Sequence, residues 1–411
     1  MFLKKTNKNN IQIDQILYFI EELYQNYTVL HSSYKTSYSG DKTIIAFGLV
    51  EDIKDLSGLT AKLQSDEQIK LFGYFSYEAF DESNTNEDRD FPKLKFQHYR
   101  NHIIINHASS NVEFELESES LFNNILAFKR HSHETKSYEL RGKLNSNMSD
   151  NEFMQYVESI RRDIASGEYY QLNLTRKYFG EFKEQADFTS ILLGLALEFP
   201  SPYSALIRHD DKYIISSSPE RFIQIDHGNI LSRPIKGTMP KSLGSTATNL
   251  YNSAKDRAEN LMIIDLMRND LSLSAEFGTV KAGPLFEIDE FANLYHMSTN
   301  VMAKKKADLT NLDVIKSAFP PASMTGAPKH AVMKKITELE TLERGIYSGA
   351  IGYFSGSNYC DFNVVIRTIL FDGKKFEYQV GGGITYDSDP QLELEETQIK
   401  AAKIKKVLGL K

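Results

Sequence analysis

The segment Arg233-Pro-Ile-Lys-Gly-Thr238 places a lysine between two residues that constrain the local backbone. Pro234 fixes its own φ and lacks an amide donor, and Gly237 permits the close approach of another group. A neutral lysine amine is a nucleophile, although an ordinary lysine is only about one part in a thousand neutral at pH 7.5. Most lysines are solvated surface charges, and the segment alone also fits that description. Nucleophilic chemistry at Lys236 is predicted if desolvation or a nearby cation keeps the amine neutral.

Acidic side chains recur at helical spacing in two distant segments. Asp256 and Glu259 are three residues apart, and Glu393 and Glu396 repeat this spacing, with Lys400 one turn further on. Residues three or four apart lie on one face of a helix. Such charged faces are commonly only solvated. Two glutamates from distant helices also suit Mg²⁺, a hard ion that takes few protein carboxylates and keeps water or substrate oxygens as ligands.

Three further segments have the chemistry of anion binding. The segment Thr325-Gly-Ala-Pro328 predicts the start of a helix, with Thr325 at the cap. The free N–H groups of a helix N-terminus can bind an anion. Ordinary capping explains the same pattern of residues. Arg367 follows the apolar run Val364-Val-Ile366, is predicted to lie on a strand, and can bind a carboxylate through two hydrogen bonds. Gly381-Gly-Gly383 predicts exposed backbone amides with no side chains in front of them.

Hydrophobic periodicity predicts the elements that must position these residues. An amphipathic helix is predicted within the first 27 residues, and another starts at Ser149 or Asp150 and stops at Gly167. The other predicted helices are 254–268, 326–340 and 389–409. The predicted strands include 43–50, 70–79, 102–106 and a meander over 347–384. The polar segment 81–90 is predicted to be a loop, and the polar segment 131–150 a linker. Strands outnumber helices and look hairpin-connected, which indicates an α+β fold with antiparallel sheets.

Composition limits the class of protein. The chain has 411 residues, enough for one large domain or two. A net charge of −7 without a basic arm argues against a nucleic-acid partner. The apolar runs are too short for a membrane span, and the start lacks the continuous apolar core of a signal peptide. A cytoplasmic protein without a membrane partner is therefore predicted.

The single cysteine, Cys360, excludes an internal disulfide and a thiolate zinc cluster. It lies in a segment that is predicted to be a strand, with no histidine near it in sequence. Enzymes that release ammonia from glutamine need a nucleophilic cysteine with a base as its partner. A buried structural cysteine is the favoured interpretation, and this chain alone is not expected to make ammonia from glutamine.

Several of these segments occur together in one family, the chorismate-utilising enzymes, which include anthranilate, aminodeoxychorismate, isochorismate and salicylate synthases. The resemblance is dense from about residue 152 to 407 and is carried by Ser218-Pro-Glu-Arg-Phe222, Arg233–Thr238, Asp256–Asp270, Thr325–Lys329, Ile366-Arg-Thr368, Gly381–Gly383 and Asp387-Ser-Asp-Pro390. It implies two large, mainly antiparallel β-sheets packed as a sandwich with helices on the outside. It also implies an N-terminal region over 1–145 that intertwines with a chorismate-binding catalytic region over 146–411.

The resemblance implies a role for each candidate residue. Glu259 and Glu396 match the family's magnesium-binding glutamates, and Asp256 and Glu393 would act behind them or through water. Chorismate contacts are expected at six positions: Thr325, Tyr347, Arg367, Gly381, Gly383 and Lys400. Of these, Tyr347, Arg367 and the two glycines match positions that hold the carboxylate groups of chorismate.

Two positions separate the branches of the family. Isochorismate and salicylate synthases carry a water-activating lysine where this chain has Gln171, which cannot act as a general base at neutral pH. Anthranilate synthase usually carries an alanine where this chain has Lys236. The lysine form resembles the aminodeoxychorismate synthase branch, in which the lysine displaces the 4-hydroxyl and ammonia then displaces the lysine, leaving nitrogen on C4. In that scheme Glu220 protonates the departing hydroxyl, and His296 is a further catalytic residue.

The resemblance thus implies a magnesium-dependent enzyme, aminodeoxychorismate synthase component I, in p-aminobenzoate and folate biosynthesis. Its expected partners are chorismate, ammonia and a separate glutamine amidotransferase subunit. Anthranilate synthase component I is the alternative, against which Lys236 argues. A non-catalytic chorismate-binding subunit is an alternative of a different class. The joint presence of six candidate residues argues against it: Glu220, Lys236, Glu259, His296, Arg367 and Glu396.

Overall fold

The computed structural model describes residues 3–7, 12–36, 41–81, 90–129, 137–242, 244–291 and 293–410. Within these ranges the α-helices are α1 (Ile13–Leu23), α2 (Leu56–Ser65), α3 (Glu119–Ala127), α4 (Asp150–Ala165), α5 (Phe188–Glu198), α6 (Ala247–Tyr251), α7 (Ala254–Ser272), α8 (Asn311–Ala318), α9 (Lys329–Leu339) and α10 (Pro390–Val407). A 3₁₀ helix covers Ala322–Met324.

The strands of the same ranges are β1 (Leu3–Asn7), β2 (Asn26–His31), β3 (Lys42–Ile53), β4 (Lys70–Phe75), β5 (Leu94–Asn106), β6 (Asn111–Leu116), β7 (Asn145–Ser146), β8 (Gln171–Glu181), β9 (Tyr203–His209), β10 (Lys212–Ser218), β11 (Arg221–Asp226), β12 (Asn229–Arg233), β13 (Ile235–Pro240), β14 (Lys281–Ala282), β15 (Glu287–Glu290), β16 (Leu294–Ser298), β17 (Val301–Lys304), β18 (Gly326–Ala327), β19 (Ala350–Ser355), β20 (Tyr359–Val364), β21 (Thr368–Asp372) and β22 (Lys375–Ile384).

Local capping signals set several helix boundaries. Ser149 caps α4, and its backbone and side chain exchange hydrogen bonds with Glu152 in a capping box. α4 is followed by Gly167, whose φ is +87°. Asp389 accepts hydrogen bonds from two amides of the first turn of α10, and Pro390 needs no acceptor there because it has no N–H. These boundaries confirm the predicted starts of α4 and α10, and α7 continues one turn beyond its predicted end.

The predicted N-terminal helix is α1, and the predicted strands 43–50 and 102–106 lie in β3 and β5. The predicted strand 70–79 is too long, because β4 ends at Phe75 and residues 76–79 form no strand. Most of the predicted loop at 81–90 falls outside the described residues, as does the part of the predicted linker at 131–136. The remainder of that linker contains β7 and leads into α4. In the described part of the chain no helix is both long and apolar enough to cross a membrane.

The strand pairs are antiparallel, which confirms the α+β class. Among the described strands, nineteen form one hydrogen-bonded network, and β13, β16 and β15 form a separate small sheet. The prediction of two separate large sheets is therefore wrong in its connectivity. The cause is β5, which has a partner on each of its two edges. β3 pairs along one edge, while β4 pairs with the first half of the other edge and β6 with its second half. The face-to-face stacking of a sandwich stays a prediction.

Strands from both ends of the chain complete the same network. β2 pairs with β9, and β4 pairs with β19. The division into 1–145 and 146–411 stays a prediction. Cys360 lies on β20, is fully buried in the core beneath α7 and α8, and burial raises the pKa of its thiol. This confirms its interpretation as a buried cysteine.

Two neighbouring strand pairs are interrupted at the same level, and this interruption is called the strand break below. β10 pairs with β21 and β11 pairs with β20, and the connections between them are 219–220 and 365–367. The amide of Val364 donates to the carbonyl of Glu220 (3.0 Å), and the amide of Ser217 donates to the carbonyl of Arg367 (3.2 Å). The strand break therefore brings Glu220 and Arg367 together, although they are far apart in sequence.

Candidate active site

A cavity of about 610 Å³ lies beside the strand break, enclosed by β8, β22, the β13–β16 sheet and one face of α10. The sequence-predicted site residues that line it are Glu220, Lys236, Asp256, His296, Tyr347, Arg367, Gly381, Gly383, Glu396 and Lys400. Glu259, Glu393 and Thr325 lie outside this lining. The structure thus brings most of the predicted residues to one place.

Lys236 owes its position to an irregularity in β13. The pairing of β13 with β16 shifts register between Ile235 and Thr238, which leaves Lys236 and Gly237 out of the regular ladder. Gly237 has a φ of +92°, and a Cβ there would lie 3.0 Å from the Cβ of Asp256 on α7. The glycine is therefore required both by its backbone and by the close approach of the helix.

The amine of Lys236 reaches across the cavity to β22. Its Nζ lies 3.0 Å from the point where a Cβ on Gly383 would stand. The side-chain Nε2 of Gln171 lies 2.2 Å from the same point. Glycine at position 383 therefore leaves the space that both side chains occupy.

A buried ion-pair network anchors the chain just before Lys236. Arg233 is buried and donates two hydrogen bonds to Asp289 (2.9 and 3.1 Å) and one to Glu287 (2.9 Å). Asp289 also accepts from the hydroxyl of Ser298 (2.6 Å). This network joins the end of β12 to β15 and β16, so the strand that carries Lys236 starts from a rigid point.

Glu220 is a buried carboxyl at the strand break. Burial raises its pKa to about 7, even though Ser323, Lys236 and Arg367 favour its charged form. A group with this pKa holds a proton near neutral pH and can release it. Glu220 therefore has the properties of a general acid.

Arg367 lies in the connection between β20 and β21 with a φ of +54°, so its prediction as a strand residue is wrong. The interruption of both strand pairs at this level takes it out of the ladder. Its guanidinium lies over the ring of Phe199 (5.1 Å to the centroid), and burial lowers its pKa to about 10 although Glu220 opposes that shift. Within the described residues it has no salt bridge, so it is available to an anionic ligand.

His296 lies on β16 and faces the cavity from the side of the small sheet. The hydroxyl of Thr238 forms a hydrogen bond with its Nδ1 (2.8 Å). Burial, with a further contribution from Arg367, holds the pKa of the imidazole well below its usual range. Its Nε2 has no hydrogen-bond partner in the described part of the chain. A neutral imidazole with one free nitrogen can bind a substrate group or exchange a proton with it.

The glycine run lies inside β22, opposite β8. A Cβ on Gly381 would stand 2.3 Å from the carbonyl oxygen of Leu174, so the close approach of the two strands requires glycine there. The carbonyl of Gly381 accepts a hydrogen bond from Lys400 (2.8 Å), which shows that this edge faces α10. Alternate residues of a strand direct their backbone N–H and C=O groups to the same edge, so the backbone groups of Gly383 also face α10. Tyr347 completes this part of the lining, and burial raises the pKa of its phenol.

Two helices bring acidic side chains together over β22. A Cβ on Gly382 would lie 3.2 Å from Oε2 of Glu393 and 3.7 Å from Oε1 of Glu396. Burial raises the pKa of Glu393, and the charge of Glu396 adds to the rise. Burial likewise raises the pKa of Glu259 on α7, with Asp256 and Glu396 contributing. The carboxyl group of Glu259 on α7 is thus close enough to Glu396 on α10 for their charges to interact.

This donor set fits a magnesium ion in part. Lys400 holds Glu396 through an ion pair (2.6 Å) that lowers the pKa of the carboxyl, and Ser388 donates to Glu393 (2.7 Å). In the ranges described above, no three acidic, histidine or cysteine side chains lie close enough together to hold a metal ion. Two glutamates supplemented by water and substrate oxygens would match the preference of Mg²⁺ for hard ligands.

Thr325 does not cap a helix, and the predicted helix start at Gly326 is wrong. Gly326 and Ala327 form β18 with Gln171 and Leu172, because a residue before proline favours an extended backbone and β8 offers a partner. α9 starts at Lys329, and its N-cap is Pro328. Thr325 is fully buried behind the cavity, and its hydroxyl donates to the carbonyl of Ala322 (3.2 Å).

Sequence reasoning missed a buried ion pair that ties the cavity walls together. Arg344 donates to both carboxylate oxygens of Glu340 (2.8 and 2.7 Å) and to the carbonyls of Met324 (2.6 Å) and Asn173 (2.7 Å). Glu340 also accepts from the amide and hydroxyl of Thr175 (both 2.9 Å). An acidic and a basic residue four apart suggest only a surface pair in sequence, so no pattern distinguished this one.

Sequence reasoning also missed Asn173, although a signal for it exists. Gln171, Asn173 and Thr175 alternate with Leu172 and Leu174 at the start of β8. Alternate residues of a strand share one face. Polar residues at that spacing in a buried strand indicate a polar face, and here it faces the cavity lined by Asn173.

The family model for chorismate binding enzymes matches residues 16–406. The chain is 39% identical over 264 residues to an aminodeoxychorismate synthase from Streptomyces griseus, covering 62% of this chain and 36% of that protein. It is 38% identical over 273 residues to an aminodeoxychorismate synthase component 1 from Klebsiella aerogenes, covering 65% of this chain and 60% of that protein. The matches therefore span about a third and three fifths of these two relatives. The fold is similar to that of the menaquinone-specific isochorismate synthase from Escherichia coli, with a TM-score of 0.80 and 17% identity over 99% of this chain and 95% of that one.

Proposed function

Because the chain belongs to the family of chorismate-binding enzymes, we propose that it acts as aminodeoxychorismate synthase component I, converting chorismate and ammonia into 4-amino-4-deoxychorismate. The observation that supports this most is the position of Lys236. Its Nζ lies 3.0 Å from the point where a Cβ on Gly383 would stand, in the cavity that Glu220 and Glu396 also line. The proposed nucleophile thus shares one cavity with an acid and with a residue of the candidate cation site.

In the proposed first step, the neutral amine of Lys236 forms a bond to the ring of chorismate. The ring double bonds shift, and the bond between C4 and its hydroxyl oxygen breaks with the electron pair on oxygen. Glu220 gives its proton to that oxygen, so that water leaves and the carboxyl becomes a carboxylate. Its pKa of about 7 suits this transfer at neutral pH.

In the proposed second step, ammonia attacks C4 and the ring double bonds shift back. The bond between the ring and the nitrogen of Lys236 breaks, and its electron pair returns to the lysine as a free amine. The new C4 ammonium group loses a proton to the Glu220 carboxylate. This transfer restores the acid, and chorismate and ammonia have become product and water.

Substrate binding is proposed for the anion-binding groups around the same cavity. Arg367 would hold one carboxylate of chorismate, with Tyr347 and the backbone amides of the glycine strand nearby. His296 would stay neutral because of its low pKa, and so would contact the ring without adding charge. Lys400 would orient the glycine strand through its bond to Gly381 or bind the substrate directly.

Glu259 and Glu396 are the residues proposed to hold Mg²⁺, with Asp256 and Glu393 behind them. Bound there, the ion would neutralise a substrate carboxylate and assist departure of the hydroxyl. The chain's own part is to hold Glu396 close to both Glu259 and Glu393, whose pKa values its charge raises, and this favours a cation among them. The other proposed properties are a cytoplasmic location and the stacking of the large sheet as a sandwich.

Ammonia is proposed to come from a separate glutamine amidotransferase subunit. Cys360 is fully buried and its thiol has a raised pKa, so it is not suited to attack glutamine. Anthranilate synthase component I remains the second candidate because the family includes it, and the amine of Lys236 in the cavity argues against it.

The proposed function is tested by the products that the purified chain forms from chorismate, Mg²⁺ and ammonium. We expect 4-amino-4-deoxychorismate by mass spectrometry and no release of pyruvate. Omitting Mg²⁺ should abolish turnover, and glutamine should not replace ammonium until a glutaminase subunit is added. Anthranilate as the sole product would contradict the assignment to this branch, and no conversion of chorismate under any of these conditions would contradict catalysis itself.

The pKa of Glu220 predicts a pH dependence. The protonated carboxyl is the active form, so kcat/KM should fall about tenfold per pH unit as the pH rises above about 7. Below pH 7 this group should not limit the rate, because it stays protonated. In Glu220→Gln turnover should be severely reduced and this descending limb should be absent from what remains. If the limb persists unchanged in the variant, another group is responsible for it.

A further inference from the structure

Asn173 presents an unsatisfied acceptor to the cavity. The residue lies on β8 and lines the cavity, with only 5% of its surface exposed. Its Nδ2 donates to the carbonyl of Ser323 (3.0 Å) and faces the sulfur of Met324 (3.9 Å). Its Oδ1 has no hydrogen-bond partner within the described residues. A buried acceptor without a donor is rare unless a ligand or water supplies one.

The orientation of this amide is fixed by its neighbours. A carbonyl oxygen only accepts hydrogen bonds, so the group that faces Ser323 must be the donor Nδ2. Rotating the amide by half a turn would place two acceptors against each other. Oδ1 is therefore the atom left free, and Nδ2 is already engaged.

The free oxygen lies on the same face of the sheet as the proposed nucleophile. Asn173 pairs directly with Gly383 across β8 and β22. Side chains of directly opposite residues in an antiparallel pair project from the same face. The Nζ of Lys236 lies 3.0 Å from where a Gly383 side chain would begin, and so lies on that face too. The carbonyl of Ser323 accepts the hydrogen bond from the amide of Asn173, and the side chain of Ser323 favours the charged form of Glu220.

An unsatisfied acceptor in the cavity shared by the acid and the nucleophile requires a ligand with a hydrogen to donate. The carboxylates and the ether oxygen of chorismate are acceptors only, so among the reactants the candidates are its 4-hydroxyl and ammonia. We propose that Asn173 Oδ1 binds the attacking ammonia and directs its lone pair towards C4. This inference rests on the proposed function and extends it by naming a residue that positions the nitrogen nucleophile.

Ammonia suits this role because its polarity changes during attack. As the carbon–nitrogen bond forms, the nitrogen gains positive charge and its N–H groups become stronger donors. The bond to Oδ1 therefore strengthens towards the transition state. The proton that the new ammonium group loses goes to Glu220, and Asn173 only accepts a hydrogen bond throughout.

The test is a separation of the two substrates in steady-state kinetics. Asn173→Leu removes the acceptor and keeps the size of the side chain, while Asn173→Ala introduces no larger group. In both variants kcat/KM for ammonium should fall about tenfold, as expected for one lost hydrogen bond that strengthens in the transition state. KM for chorismate should stay within about twofold, because no chorismate group is assigned to this oxygen.

A mass measurement on the variant separates the two chemical steps. Incubated with chorismate and no ammonia, Asn173→Leu should form the Lys236 adduct to the same extent as the unaltered protein. Added ammonium should then discharge the adduct about ten times more slowly. Adduct formation also shows that the variant is folded, so a folding failure cannot imitate the expected result.

Asn311 provides a matched control. It is also a buried asparagine whose side-chain oxygen and nitrogen lack partners in the described ranges, but it lies at the start of α8 and outside the cavity. Asn311→Leu should leave both substrate constants unchanged.

Two results would overturn the inference. A rise in KM for chorismate with unchanged kcat/KM for ammonium would assign the oxygen to the 4-hydroxyl instead. If KM for chorismate and kcat/KM for ammonium both stay unchanged, Asn173 Oδ1 has no role in binding either substrate. If the unaltered protein makes no 4-amino-4-deoxychorismate, the proposed function itself has failed, which is a separate outcome from either of these.

Discussion

Lys236→Ala is expected to lower kcat for amination by about a thousandfold or more, which corresponds to about 4 kcal/mol of lost transition-state stabilisation. The variant loses covalent catalysis, because a direct displacement replaces the two easier steps that the amine permits. The dissociation constant for chorismate should change by less than about threefold, since Arg367 and the glycine strand bind without this side chain. Some amination should survive through Glu220, which remains in place to protonate the hydroxyl.

The measurement combines rapid-quench kinetics with mass spectrometry of the protein. Without ammonia, the unaltered chain should gain the mass of a chorismate-derived adduct on Lys236, and the variant should gain none. Lys255→Ala is a suitable control, because Lys255 also interacts with Glu259 but is 62% exposed and lies outside the cavity. Its kcat should stay within about threefold. Full turnover to the same product in Lys236→Ala would remove the lysine from the mechanism.

Arg344→Met is expected to destabilise the protein by about 3–5 kcal/mol, because it leaves a buried carboxylate without its partner. Glu340 is 4% exposed and takes both of its strongest hydrogen bonds from Arg344. The carbonyls of Met324 and Asn173 would lose their donor at the same time. The free energy of unfolding from denaturant titration, monitored by circular dichroism, measures the effect.

Two variants test whether burial causes this loss. Arg268→Ala removes an ion pair of similar length (2.7 Å) on the exposed side of α7, and should cost no more than about 1 kcal/mol. The double variant Arg344→Met/Glu340→Leu should be more stable than Arg344→Met alone, since no charge is left buried. Equal destabilisation by Arg344→Met and Arg268→Ala would show that the buried pair has no special weight.

The sequence alone determined the features that depend on a few neighbouring residues. The boundaries of α4 and α10 follow from Ser149, Asp389 and Pro390, whose side chains and ring act on the adjoining turn. The predicted strands 43–50 and 102–106 and the predicted burial of Cys360 were correct for the same reason, since apolar runs that alternate with turns are local signals. Lys236 beside Gly237 also marked a place where helix and strand approach closely.

Local signals failed where distant pairing decided the backbone. Arg367 follows an apolar run that predicts a strand, but the interruption of two strand pairs leaves it with a positive φ. Thr325 and Gly326 have the residue types of a helix start, but β8 draws the next residues into an extended pair. The two large sheets implied by the family resemblance are one network, because β5 pairs with β3 along one edge and with β4 along the other.

The tertiary structure alone decided which residues meet. Glu220 and Arg367 face one cavity because the strand break aligns two connections that are far apart in sequence. The pKa of about 7 at Glu220 arises from burial, which no residue type encodes. Asn173 acquires a free oxygen only because Ser323 fixes its amide. Sequence reasoning can identify reactive residue types and local geometry, whereas convergence and burial follow from pairing between segments hundreds of residues apart.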